Sequence, residues 1–258
     1  MNHRAPLSQV RFQIDRLEAW APDLPTATEW QAWAHGQRAM GSAGEPALSQ
    51  MAPMLRRHAG RLGRLACDVA YRALGDLTGV PVVFCSRYGE IARSVELLSA
   101  LASGADLSPT SFGLSVHNAI GGLFSMARRD TSNCLALSAG DESAEFGLIE
   151  ACSLLADGVE RVLLVVAELP LPGVYASYED VRPAAFAWAC IVTPARECGV
   201  TLSWRTREPL VHGDRDIASD ADDRPSPGAL EAVRYLLRDD LDWGRDTASR
   251  RWQWHRDR

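Results

Sequence analysis

The chain has 258 residues, 47% of them hydrophobic, enough to bury a sizeable core as one large domain with appendages. Its formal net charge of −6 offers no basic field to a phosphate backbone, so nucleic acid is not an expected partner. All 27 cationic residues are arginine, which excludes lysine Schiff bases and the phosphate-gripping lysine of a P-loop.

In VRFQI, Val10, Phe12 and Ile14 share one face of a short strand. The following EAWAPDLPTATEWQAWAHG mixes prolines with Trp20, Trp30 and Trp33 and reads as loop plus a short helix whose tryptophans pack on the core. Between Met54 and Leu74, the residues Leu55, Leu62, Leu65, Ala66, Val69, Ala70 and Leu74 recur at helical spacing and predict one amphipathic helix ending near Gly75. Arg56, Arg57, Arg61, Arg64 and Arg72 lie elsewhere around it, as a solvated face or as a surface for an acidic partner.

VPVVFCS (80–86) is too short for a core helix and reads as a buried strand, followed by a helix over 90–102. Ser108 and Pro109 form an N-cap and first-turn pair, so helical structure restarts there and runs through the Asn118 to Gly122 region, where glycines permit close backbone approach. NCLALS is the next strand. The helix predicted over 141–156 is apolar nearly all the way round, which implies burial on every side. VERVLLVVAE and AAFAWACIV read as central strands.

Strands alternating with helices imply an α/β/α layered domain around a mixed, mostly parallel five-stranded sheet, taken as residues 1–205. GVTLSWR reads as one more strand. Residues 206–258 then form an extension: the polar REPLVHGDRDIASDADDRPSPG as linker, a helix capped by Ser226 and Pro227 through about Leu241, and RRWQWHRDR as a disordered basic, aromatic tail.

The cysteines Cys67, Cys85, Cys134, Cys152, Cys190 and Cys198 show no C-x-x-C pair and no histidine at metal spacing, so neither a metal nor another cofactor is expected. The start MNHRAPLSQ lacks the apolar region of a signal peptide, and no apolar run reaches the roughly 18 residues of a membrane span. A reducing cytoplasm is the expected compartment.

Five stretches carry a family resemblance: EAWAP with EWQAWA, LRRHAGRLGRLA, VFCSRYGEI, LSPTSFGLSVHNAIGGLFSMARRD and AGDESAEFGLIEA. In this order they resemble the N-terminal half of a β-ketoacyl synthase, a thiolase-fold enzyme. They are most similar to the short β-ketoacyl synthase N-terminal-domain proteins that act as chain-length-factor subunits of aryl polyene (xanthomonadin-type) type II polyketide synthases. The similarity spans about residues 10–194.

The resemblance implies a thiolase-like half-fold with a nucleophile position at the start of the buried helix, where the macrodipole lowers a thiol pKa. Counting back from Glu150 and Ala151, that position falls near Gly140 or Asp141, and no cysteine stands there. Asp141, Glu142 and Glu145 instead crowd the helix start with negative charge, which suits the dipole and opposes a thiolate. Cys134 and Cys152 are expected to be buried and inert. The two histidines that a ketosynthase takes from its second half have no counterpart, since only His212 and His255 lie downstream.

What the resemblance then implies is a subunit non-catalytic on its own. It would pair as a heterodimer with an active β-ketoacyl-ACP synthase through NCLALS, with Cys134, Leu135 and Leu137 at the interface. Its task would be to shape the tunnel for an acyl chain borne by an acyl carrier protein. Phe112, Leu114 and Val116, with Phe124, are candidates for the tunnel wall, or else core side chains of an amphipathic turn. His117 is expected to donate to backbone near Asn118, and Asn118 itself to serve backbone geometry. Arg56, Arg57, Arg61 and Arg64 are candidates to face the carrier. Two other readings stay open: a homodimeric scaffold that binds an acyl carrier, and a serine hydrolase using Ser138 or Ser143, which lacks the G-x-S-x-G elbow.

Overall fold

The computed structural model describes residues 8–207 and 224–257. Most of the polar linker read from the sequence, His212 included, lies outside them.

Eight strands form one sheet: β1 (Ser8–Trp20), β2 (Val82–Cys85), β3 (Cys134–Leu137), β4 (Val162–Glu168), β5 (Phe186–Pro194), β6 (Val200–Thr206), β7 (Asp242–Asp246) and β8 (Arg250–Arg256), in the order β3-β2-β4-β5-β1-β6-β8-β7. The α/β class and the mixed sheet are as expected, and the five anticipated strands are neighbours at one side. The sheet does not stop at five, however, and it is not mostly parallel. Only β2·β3 and β2·β4 run parallel, while β4·β5, β5·β1, β1·β6, β6·β8 and β8·β7 are antiparallel. A strand covered on both faces shows the same unbroken apolar run whichever way its neighbours point.

Helices α1 (Ala27–Ala34), α7 (Ser143–Ala156) and α8 (Gly228–Leu237) cover one face of the sheet, and α3 (Arg61–Leu74) and α6 (Ala119–Arg128) the other. β1 continues through the EAW expected as loop, because β5 pairs with it from Phe12 to Trp20, across a bulge between Ile14 and Arg16. α1 starts on a capping box, with Thr26 and Glu29 bonding each other's backbone N–H.

The single helix expected from Met54 is two. A short α2 (Pro53–Arg56) stops, and α3 begins after Gly60, whose Cβ would fall 2.8 Å from Glu90 Oε2. Glu90 comes this close because it accepts from the Gly63 backbone at the start of α3. The expected face of α3, from Leu62 to Leu74, is buried. α4 (Ile91–Ala102) and α5 (Pro109–Gly113) follow, and Ser108 caps α5 by accepting from Ser111 N at 3.3 Å.

α7 lies on the sheet with Gly147 at the closest approach, where a Cβ would sit 2.5 Å from Cys85 Sγ. It is not buried all round. Phe146, Ile149, Cys152, Leu154 and Leu155 are half-buried, because the sheet covers one side only.

The largest correction concerns the C-terminus. RRWQWHRDR is not a disordered tail but β8, held between β6 and β7, with Trp252 0% and Trp254 1% exposed. Trp254 packs edge-on to Phe12, and Trp252 edge-on to Phe146. The period of two in Arg251, Trp252, Gln253, Trp254 and His255 is a strand signal, masked in the sequence by the surrounding charge. α8 ends at Leu237, and Ser226 does not cap it; Gly228 N donates at 2.8 Å to the Asp141 carboxylate. Among the described residues no helix is long and apolar enough to cross a membrane.

Candidate functional site

The turn from β3 into α7 places Gly140 in the left-handed region at φ 59°, with no atom within 4 Å of where its Cβ would stand. A side chain at this elbow would project into a cavity of about 650 Å3 lined by Arg87, Gly140, Asp141, Arg207, Arg245 and Thr247, among others. Ser143 ties the turn together: its Oγ accepts from Ala139 N at 3.0 Å and donates to Gly140 O at 2.7 Å. Ser138 Oγ donates to Arg87 O at 2.8 Å. Both serine hydroxyls are thus committed to carbonyl groups, and neither bonds a histidine, so the arrangement does not support nucleophilic attack by either.

The acids that follow Gly140 are held by the C-terminal hairpin. Arg245 on β7 donates to Asp141 Oδ2 at 2.6 Å, to Asp141 O at 2.6 Å, and to Glu145 Oε1 and Oε2 at 2.7 and 3.0 Å. Glu142 accepts from Arg250 Nη1 and Trp252 Nε1, each at 2.9 Å, and from the Thr247 hydroxyl. Burial raises the pKa of Glu145, with Arg245 pulling against it; burial likewise opposes the charge on Arg245, but Glu145 and Asp141 outweigh it and hold its pKa above the usual value. The start of α7 is therefore a set of acids paired with Arg245 and Arg250. The three acids were legible in the sequence; their arginine partners were not.

The thiols nearest this turn in the sequence are not activated. Cys134 is half-buried on β3 and its pKa is raised by burial, and the Cys152 thiol is pushed up to about 12 by the same cause. Among the described residues no three His, Cys, Asp or Glu side chains gather as a metal would need.

β3 is the edge of the sheet, and Cys134, Leu135 and Leu137 are half-buried on it. Phe112 (64%) and Val116 (43%) are exposed, Leu114 is half-buried, and Asn118 stands exposed at the start of α6. Phe124 is elsewhere: it lies in the core, edge-on to Tyr71 and Phe84, because α6 turns that face onto the sheet. His117 bonds a different partner from the one expected. Its Nε2 donates to Ser86 O at 3.0 Å, and its ring packs on Gly89, where a Cβ would approach to 2.9 Å.

Of the four arginines considered for the carrier, Arg56 donates to Ala47 O and Leu48 O, Arg61 to Ser42 O and Gly44 O, and Arg64 pairs with Glu45. These three tether the 42–48 loop, and Arg57 is exposed. Sequence reasoning also missed Glu168. This residue at the end of β4 accepts from Arg87 N at 2.8 Å and from Ser86 Oγ, and burial pushes its pKa up to about 8.

The family described as β-ketoacyl synthase, N-terminal domain, matches residues 30–255. Among solved structures, a chain of the ketosynthase ApeO in complex with its chain length factor ApeC from Xenorhabdus doucetiae is 26% identical, with a TM-score of 0.76 over 95% of this chain and 99% of that one. A chain of the ishigamide ketosynthase/chain length factor is 16% identical, with a TM-score of 0.64 over 76% of this chain and 68% of that one. A chain of AntDE:AntF, a type II polyketide synthase acyl-carrier protein in complex with its ketosynthase, is 12% identical, with a TM-score of 0.66 over 96% and 99%. The last two likenesses concern the fold alone. No curated protein matches the chain. The fold is that of the thiolase-like ketosynthases.

Proposed function

The chain belongs to the β-ketoacyl synthase N-terminal domain family, and from that premise we propose that it is the non-catalytic, chain-length-factor-like partner of an active β-ketoacyl-ACP synthase in aryl polyene or related polyketide biosynthesis. The observation that carries this reading is Gly140: an open elbow at the head of α7 with no side chain, followed by acids already neutralised by Arg245 and Arg250. Condensation needs a covalent acyl acceptor, so the acyl chain must be held by another subunit.

Two further features support a partner. β3 leaves a row of backbone N–H and C=O groups unpaired at the sheet edge, which a strand from a second subunit would satisfy. The chain and its counterpart in the ApeO–ApeC complex match over nearly the whole of both. In the heterodimer, Phe112, Leu114 and Val116 reach the far end of the partner's tunnel, where a rigid aromatic limits chain length at small entropic cost. The acyl carrier protein delivers its chain to the partner's cysteine. Three of the four candidate arginines are spent on the 42–48 loop, which gives the homodimeric carrier scaffold no specific support.

Co-expression with the ketosynthase of the same assembly tests the pairing: the two are expected to co-purify. Incubation of the isolated chain with an acyl thioester should leave its intact mass unchanged. Phe112→Ala should alter product length in the reconstituted system while the complex persists. Acylation of the isolated chain at a single residue would overturn the reading.

A further inference from the structure

Among the described residues, five acids line the cavity at the Gly140 elbow, and each has an arginine. Asp141 and Glu142 are held by Arg245 and Arg250, Glu231 by Arg234 at 2.6 Å, Asp246 by Arg207 at 3.1 Å, and Asp180 by Arg87 at 2.7 Å. Arg87 differs from the other four. Its side chain is 9% exposed, yet Nε and Nη1 are buried without an acceptor, and only Nη2 is bonded, to Asp180 Oδ1. Buried N–H groups of a cation left unmatched are costly, more so than those of a neutral group.

The backbone of Arg87 cannot shift to relieve this. Its N–H donates to Glu168 and its carbonyl accepts from Ser138. Burial opposes the charge on the guanidinium, but the hydrogen bond and the charge of Asp180 outweigh it and hold its pKa above the usual value. A cation is therefore present, held at one point by a side chain that is 53% exposed. Asp180 stands between the buried Glu179 and Val181, so its backbone is anchored while its carboxylate is free to turn into water at little cost.

We propose that the elbow cavity is a binding site for a small organic monocarboxylate, which displaces Asp180 and engages Arg87 end-on through Nη2 and Nη1 together. Two carboxylate oxygens match the guanidinium fork, whereas the tethered Asp180 brings only one to it. A dianion such as phosphate is disfavoured by the five acids around the site, and a cation would meet acids already paired and Arg87 against it. The volume of about 650 Å3 suits a small molecule, and Ala139, Val181 and Pro225 offer an apolar wall to the part that is not charged. Gly140, without a side chain, leaves the space open. The site involves no covalent step and does not depend on the pairing with a ketosynthase.

Titration of the isolated full chain with acetate and butyrate, at ionic strength matched with chloride, tests the site through the Nε–H resonance of Arg87, assigned by its loss in Arg87→Met. Both acids should shift it saturably. Asp180→Asn keeps a side chain of the same shape but removes the competing charge, and should tighten binding by about tenfold. Calorimetry should show no binding to Arg87→Met. An ion pair that serves the fold alone would leave every one of these proteins without affinity for either acid. That result, binding to Arg87→Met as to wild type, unchanged affinity in Asp180→Asn, or phosphate bound more tightly than butyrate overturns the proposal, and none of them touches the subunit reading.

Discussion

Arg245 grips Asp141 at two points, with Nη1 on a carboxylate oxygen and Nη2 on the backbone carbonyl, each at 2.6 Å. The same guanidinium neutralises Glu145, which is 0% exposed. Arg245→Met would leave that carboxylate buried and unpaired, and should cost about 3–5 kcal/mol. The urea midpoint reads the loss. Adding Glu145→Leu should restore most of it, and a single variant as stable as wild type would show that the clasp does not hold the hairpin.

Trp254 is the hub of the C-terminal aromatic cluster, touching Phe12, Tyr235 and Trp243. Trp254→Ala should therefore lower stability by about 3–5 kcal/mol, as a core truncation does. A true tail would tolerate the change. Thermal or chemical denaturation decides, and a shift under about 1 kcal/mol would contradict the β8 assignment.

The raised pKa of Glu168, about 8 against an ordinary value of 4.5, makes stability depend on pH. Because the folded value lies above the unfolded one, its contribution is complete below pH 4.5 and is lost as pH rises to 8. Glu168→Gln should remove this dependence, so that wild type loses stability relative to the variant by up to about 1.4 kcal/mol per pH unit across that window. Denaturation curves at several pH values measure it; parallel profiles for the two proteins would refute it.

Gly140→Cys puts a thiol where the elbow opens. The left-handed backbone should make it less stable by about 1–2 kcal/mol. In a Cys198→Ser background a water-soluble thiol reagent should label one site quickly, since Cys67, Cys85 and Cys190 are buried and burial raises the pKa of the half-buried Cys134 and Cys152, which slows their reaction. Absence of rapid labelling would mean that the cavity does not admit it.

How far the sequence went depended on whether a feature was local. Ser108 before Pro109 marked a cap, the spacing of Leu62, Leu65, Val69 and Leu74 marked a buried face, and Gly140 followed by acids marked a helix start with no thiol. Each signal lies within a turn or two of chain, where periodicity and capping chemistry act. The start of α3 was misplaced: the helix read from Met54 ends at Arg56 and resumes only after Gly60, which is extended.

By itself, then, the sequence determined which residues are apolar-faced, where most helices and strands lie, and that no cysteine stands at the head of the helix that follows Gly140. Only the tertiary structure decided the direction of the strands, the entry of β7 and β8 into the sheet, the cap of α8 by Asp141, and the pairing of Arg245 with acids 100 and 104 residues away. The physical reason is that hydrophobic periodicity records which side of an element is dry and nothing about its neighbours. A hydrogen bond or ion pair between distant segments leaves no mark on the local pattern of either.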